Sequence, residues 1–306
     1  MKKTLAALTT TALVLFGALT AHAQQVFKTP DEAASALVDA AKAGDMRALV
    51  NVLGPDGEDI VSSGDEVADA ETRQKFVAAY DAKHQIAMEG ENKAILVIGA
   101  GDFPLPIPLV RKDGAWRFDM AAGREEILYR RIGKNELEAI QASLAYVDAQ
   151  NEYAEKDRTG DGLYAYAKRI ISQPGKKDGL YWPVSQGEEE SPLGELMARA
   201  TRLGYRVGAG RTPYLGYYFK ILTRQGPAAS GGAMDYFVRG KMIGGFALVA
   251  YPAEYRNSGV MTFIVNHAGT VFQQDLGPDT AKKAERMISF NPNQTWQKVF
   301  DISPLQ

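Results

Sequence analysis

Between Gly216 and Leu276 the chain reads GYYFKILTRQGPAASGGAMDYFVRGKMIGGFALVAYPAEYRNSGVMTFIVNHAGTVFQQDL. Four runs rich in aromatic and β-branched residues are separated by Gly, Pro, Asn and Ser clusters, the pattern of a small antiparallel sheet. Period-2 alternation sets the faces. Tyr217, Phe219 and Ile221 point one way and Tyr218, Lys220 and Leu222 the other, with Phe246, Leu248 and Ala250, and Met261, Phe263 and Val265, alternating likewise. Asn266-His267-Ala268-Gly269 is a hairpin turn in which Gly269 suits a positive φ. Pro278-Asp279 opens a last helix through Met287, and Trp296 then returns to the core.

The 306 residues contain no cysteine. Disulfides, thiol nucleophiles, thiolate metal sites and a lipidated N-terminal Cys are thereby excluded, and stability rests on core burial. Lys2 and Lys3, an apolar run from Leu5 to Leu19 and the Ala21-His22-Ala23 site form a leader, with cleavage expected after Ala23. The expected location is the periplasm or the exterior. No later stretch is apolar enough to span a bilayer, so a soluble mature product is expected. Of the 35 Lys and Arg residues, two leave with the leader, against 37 Asp and Glu. Such a mildly acidic balance gives no support for nucleic-acid binding.

Residues 24–130 read as an α+β domain. Thr29-Pro30-Asp31-Glu32 starts a helix that Gly44 ends. A second helix holds Met46 to Leu53, and a third runs from Asp69 to Lys83 with Phe76, Ala79 and Tyr80 on one side. Strands follow at Ala94–Ile98, around Phe103–Val110 and at Ala115–Asp119. Helices followed by a curved meander ending in Asp113-Gly114-Ala115-Trp116-Arg117-Phe118-Asp119 resemble the nuclear-transport-factor-2-like fold, which often encloses an apolar pocket. That resemblance makes Phe76, Tyr80 and Trp116 candidate pocket residues; the other reading is that Trp116 and Phe118 fill core.

Residues 131–306 read as a second α+β domain. Gly123 to Asp157 is helical with an interruption at Ile132-Gly133, and its stripe of Leu137, Ile140, Leu144 and Val147 packs on the coming sheet. Asp157, Thr159, Asp161 and Gly162 match offsets one, three, five and six of a calcium loop, but Lys168 stands where the bidentate Glu belongs. Asp157 and Asp161 are therefore weak metal candidates, and a simple turn explains them equally. The long segment from Gln173 to Ser191 carries Tyr181-Trp182-Pro183, and Ser191-Pro192 starts a helix that Gly204 ends.

Several motifs in this half closely resemble an exported bacterial family known as domain of unknown function 2950. They are Gly175-Lys176-Lys177-Asp178-Gly179-Leu180-Tyr181-Trp182-Pro183, Ser191-Pro192-Leu193-Gly194, Gly216-Tyr217-Tyr218-Phe219-Lys220-Ile221-Leu222, the run Lys241 to Tyr255, and Ser258-Gly259-Val260-Met261-Thr262-Phe263. The resemblance implies membership over almost the whole mature chain and supplies no activity. The order of amphipathic helix, Gly-Tyr-aromatic strand and meander is also similar to the globular heads of type IV pilins and pseudopilins. That likeness implies an interaction surface, without the membrane helix a pilin needs to polymerise.

Catalytic signatures are missing. His84 and His267 sit in no metal-binding motif, no G-x-S-x-G elbow occurs, and Gly208-Ala209-Gly210 is followed by Pro213 where a third glycine would be needed. No catalytic residue and no cofactor is expected. Tyr181, Trp182, Tyr214, Tyr217 and Tyr255 remain as binding candidates, with core packing as the other reading. Three functions stay open: a non-enzymatic binding or assembly accessory with an envelope protein as partner, a small-molecule binder or enzyme using the N-terminal pocket, and a secreted structural protein.

Overall fold

Local capping decides the first two helices. Thr29 Oγ1 accepts from Glu32 N at 3.1 Å to open α1 (Pro30–Ala43), and Gly44 closes it in the left-handed region. Asp45 immediately caps α2 (Met46–Leu53) through Ala48 N at 3.0 Å. The computed structural model describes residues 24–158, 160–206 and 212–299. The leader, Thr159 and Gly208-Ala209-Gly210 lie outside the described residues.

A short α3 (Glu58–Val61) leads to α4 (Glu66–Ala82). This helix starts three residues before the expected Asp69, because Asp65 caps it by accepting from Val67 N and Ala68 N. Five strands follow: β1 (His84–Met88), β2 (Lys93–Ile98), β3 (Phe103–Pro104), β4 (Leu109–Lys112) and β5 (Ala115–Phe118). They form an antiparallel sheet in the order β1-β2-β4-β5, with β3 added to β2. Trp116 exchanges two backbone hydrogen bonds of 2.8 Å with Phe27, and both rings are buried with Leu37, Leu49, Val52, Leu109 and Phe118.

The expected break at Ile132-Gly133 does not occur. Helix α5 runs without interruption from Met120 to Tyr153. A mid-helix glycine costs roughly 1 kcal/mol, and side chains on both sides of Gly133 offset it by anchoring the helix. Arg131 Nη1 donates to Asn257 Oδ1 at 2.5 Å, Asn135 Nδ2 to Ser258 O at 2.9 Å, and Glu136 Oε1 accepts from Val260 N and Met261 N, both at 2.9 Å. The N-terminal end of α5 supplies Met120 to the first hydrophobic cluster, while Ala139, Ile140, Tyr146, Val147, Ala149 and Tyr153 belong to a second. Of the expected stripe, Ile140 and Val147 are buried, Leu144 is half-buried and Leu137 is exposed.

The remaining elements are α6 (Gly194–Arg202), β6 (Tyr217–Leu222), β7 (Arg224–Gln225), β8 (Met234–Asp235), β9 (Phe237–Val238), β10 (Lys241–Met242), β11 (Ala247–Pro252), β12 (Met261–Asn266), β13 (Phe272–Asp275), α7 (Thr280–Arg286), β14 (Ser289–Phe290) and β15 (Gln297–Lys298). The meander is an antiparallel sheet in the order β15-β13-β12-β11-β6, with Leu248 paired to Ile221 and Val265. The β12–β13 hairpin turns at Gly269, φ 71°. All six residues of β11 are buried, so both faces of the sheet are covered. Phe219 lines a small cavity together with Tyr146 of α5 and Leu196 of α6, whereas Lys220 on the opposite face reaches Met287 O past α7 at 2.7 Å. The whole is an α+β protein whose sheets do not close into a barrel.

Two polar centres hold irregular chain in place. Asp65, 1% exposed, accepts on its second oxygen from Tyr205 OH at 2.7 Å and Gly216 N at 2.8 Å. Glu189 takes Lys156, Arg158 and Lys177, fastening the segment that buries Trp182. Asp65→Ala strips acceptors from two helix amides, a hydroxyl and a loop amide. It is expected to lower unfolding free energy by about 3 kcal/mol in urea titrations. Hydrogen bonds from Lys156 and then Arg158 and Lys177 hold the Glu189 carboxyl down at about 2, against an ordinary 4.5. A depressed carboxylate stabilises above its unfolded pKa and loses that contribution as pH falls through the folded one. Glu189→Gln should cost about 1 kcal/mol at neutral pH. Denaturation of both proteins at several pH values should show the gap closing as pH falls from 4.5 toward 2.

Candidate functional site

Small side chains on facing helices leave room inside the first half of the chain. Ala41 on α1 and Ala68 and Ala79 on α4 meet across a cavity of about 550 Å³. α4 contributes little bulk to the core; Tyr80 is its one buried residue. The floor is made by Leu37, Leu49, Leu53 and Ile107, each at most 5% exposed. The mouth is marked by exposed wall residues: Thr72 and Lys75 on α4, Phe103 on β3, and Arg130 and Lys134 on α5.

Polar groups converge at that mouth. Asp69 accepts from Ser63 N at 2.9 Å and Ser63 Oγ at 2.7 Å, while burial pushes its carboxyl above the ordinary carboxylate range. Arg131 donates to Asp59 O at 2.8 Å, to Ile60 O and to Asn257 Oδ1; burial lowers its pKa, and a guanidinium stays cationic regardless. Arg130 lies 5.4 Å from the Phe103 ring centroid and pairs with Glu126 at 2.6 Å. An apolar chamber with a few convergent polar groups, inside the 300–1,000 Å³ typical of small-molecule sites, has the size and lining that can hold and orient a small ligand.

Of the three residues expected in a pocket, Phe76 lines this one. Tyr80 sits in an adjacent cluster, its ring stacked 3.8 Å from that of His84, and Trp116 is core beneath the floor. The five aromatic binding candidates are differently placed. Trp182 is 3% exposed with Nε1 donating to Glu189 O at 3.2 Å, and Tyr217 is fully buried with its OH donating to Met261 O at 2.9 Å. Tyr214 meets Tyr217 through a backbone bridge and packs edge-on to Tyr205 at 5.1 Å. Tyr181 is half-buried against the second cluster, and half-buried Tyr255 donates to Asp275 at 3.1 Å.

The calcium-like carboxylates serve their own loop. Asp157 accepts from Gly160 N and Gly162 N at 2.8 and 2.7 Å, and Asp161 pairs with Lys241. Among the described residues no three His, Asp or Glu side chains gather as a metal site would require. His267 is exposed in its turn beside Tyr236.

Sequence reading missed the polar half of the mouth. Asp69, Arg73 and Phe76 on α4, and Ile127, Arg131 and Lys134 on α5, fall at helical spacings of three and four. That signal puts basic residues on the same face as apolar ones. No helix among the described residues is long and apolar enough to cross a membrane. No curated protein and no solved structure matches the chain. The model of one family covers residues 24–299, and the chain belongs to that family, described as protein of unknown function (DUF2950).

Proposed function

We propose that this is an exported, non-enzymatic binding protein of the bacterial envelope that accepts a small, largely apolar molecule in its N-terminal domain. The observation that carries the reading is the 550 Å³ chamber with its apolar floor and polar mouth. A filled interior would have removed the ground for it. The leader from Met1 to Ala23 is the ground for export, and the helices set against an antiparallel sheet support the nuclear-transport-factor-2-like reading of residues 24–130.

The other reading, an assembly accessory with a pilin-head-like second domain, is favoured by one feature, α5 packed on the β6–β11–β12–β13 meander. The burial of Trp182 and Tyr217 and the covering of both sheet faces take away the aromatic surface it would use. The cavity therefore ranks first.

Titration with N-phenyl-1-naphthylamine, a neutral fluorescent probe, tests the reading. The expected result is saturable enhancement at one probe per chain, lost in both Ala41→Phe and Ala68→Phe, two fillings made from different walls. Enhancement that survives both fillings, with circular dichroism unchanged, would place the probe elsewhere and end the proposal. Export has its own measurement: mass spectrometry of protein recovered from the periplasm or medium should give an N-terminus at Gln24. An intact Met1 form retained in the cytoplasm would contradict it.

A further inference from the structure

The cavity's mouth is unevenly charged, and among the described residues part of that charge forms no ion pair. Among the described residues its wall carries five basic side chains, Arg73, Lys75, Arg130, Arg131 and Lys134, and one acidic, Asp69. Lys75 and Arg130 are paired along their own helices with Glu71 and Glu126. Arg131 donates to neutral oxygens of Asp59, Ile60 and Asn257. Arg73 has the Met46 sulfur as its hydrogen-bond partner at 3.8 Å, and neither it nor Lys134 forms an ion pair among the described residues. Asp69 has both oxygens engaged by Ser63. Unpaired cations at the rim of an apolar chamber would attract an anion and hold it where solvent still reaches.

Resting on the binding reading above, we infer that the ligand is an amphiphile with one apolar chain and an anionic head. The chain lies over Leu37, Leu49 and Ile107, and the head meets Arg73 and Lys134. Two forces set the affinity. Each methylene added to a chain that still fits should tighten binding about fourfold, the transfer free energy of one CH₂. The head should add about tenfold over a neutral head of equal size, because charge-assisted hydrogen bonds at a part-exposed site are screened but short. That second factor must weaken in salt, since the cations are within reach of solvent ions.

The test compares decanoate with 1-decanol as competitors of the bound neutral naphthyl probe, on the full mature chain. Decanoate is expected to bind about tenfold tighter than decanol. The gap between the two competitors should close in Arg73→Gln/Lys134→Gln, and it should shrink in 0.5 M salt. Both replaced side chains reach solvent at the mouth, so the variant should fold. Equal affinity for the two competitors, or a gap that persists in the double variant, would overturn the anionic head and leave the apolar chamber standing. Tighter binding of decylammonium would do the same. If neither competitor displaces the probe and the probe itself does not bind, this inference and the binding reading fall together.

Discussion

The structure depends on a buried carboxylate. Asp65 is almost fully withdrawn from water, and its two oxygens are used in different directions. One accepts from Val67 N and Ala68 N and so sets the first turn of α4; the other accepts from Tyr205 OH and Gly216 N. A buried polar group of this kind is tolerable only when its hydrogen bonds are made, and here four donors converge on it. Burial, and next the neighbouring Asp65, push the Tyr205 hydroxyl far above its ordinary pKa, so it remains a donor at any physiological pH. The position of α4 is therefore tied to chain about 150 residues away.

That tie explains how a chamber persists beneath α4. α4 has one fully buried side chain, Tyr80, and packs otherwise through half-buried Phe76, Val77 and Ala79, so its hydrophobic hold on its neighbours is limited. Polar pins take over that task. Asp65 fixes the start of α4, Asp69 holds Ser63 beside it, and Arg131 grips the carbonyls of Asp59 and Ile60 before it. With the walls held by hydrogen bonds, alanines at 41, 68 and 79 leave space that core packing would otherwise have closed. In the second half burial does most of the ordering, and the cavity it leaves, between α5, α6 and the sheet, is smaller, about 160 Å³. A sheet with both faces covered fills its interior with Tyr217, Tyr236, Tyr251, Phe246 and Phe263, and ordering is achieved by burial.

What the sequence disclosed follows the range of the interactions concerned. α1 and α2 were legible at their ends because Thr29, Gly44 and Asp45 act within four residues. The strands at 217–222, 247–252 and 261–266 were legible because alternation is local. The α+β class followed from those two signals, and the family from long motifs. Asp65 was not legible, since Tyr205 and Gly216 lie 140 and 151 positions away. Gly133 misled, because the anchors that keep α5 whole are in the loop at 257–261. Trp182 and Tyr217 were open between surface and core by composition, and both are buried. Phe76 lines the chamber on the face of α4 that the helical period gives it, whereas Arg73 and Lys134 looked like any solvated pair of basic residues.

The wall of the chamber contains two kinds of polar residue, and the difference bears on how its chemistry can be read. Arg131 and Asn135 line the cavity and also bind the loop around Asn257 and Ser258; Leu215, on the same wall, precedes the amide that Asp65 holds. Replacing any of them disturbs the joint between the halves together with the site, so a loss of binding there would not separate contact from folding. Among the described residues, neither Arg73 nor Lys134 hydrogen-bonds the loop at 257–261 or the Gly216 amide, as the pins do. The pins have an architectural reason to be where they are. Among the described residues the two rim cations form no ion pair, so replacing them leaves the pins at Asp65, Arg131 and Asn135 in place.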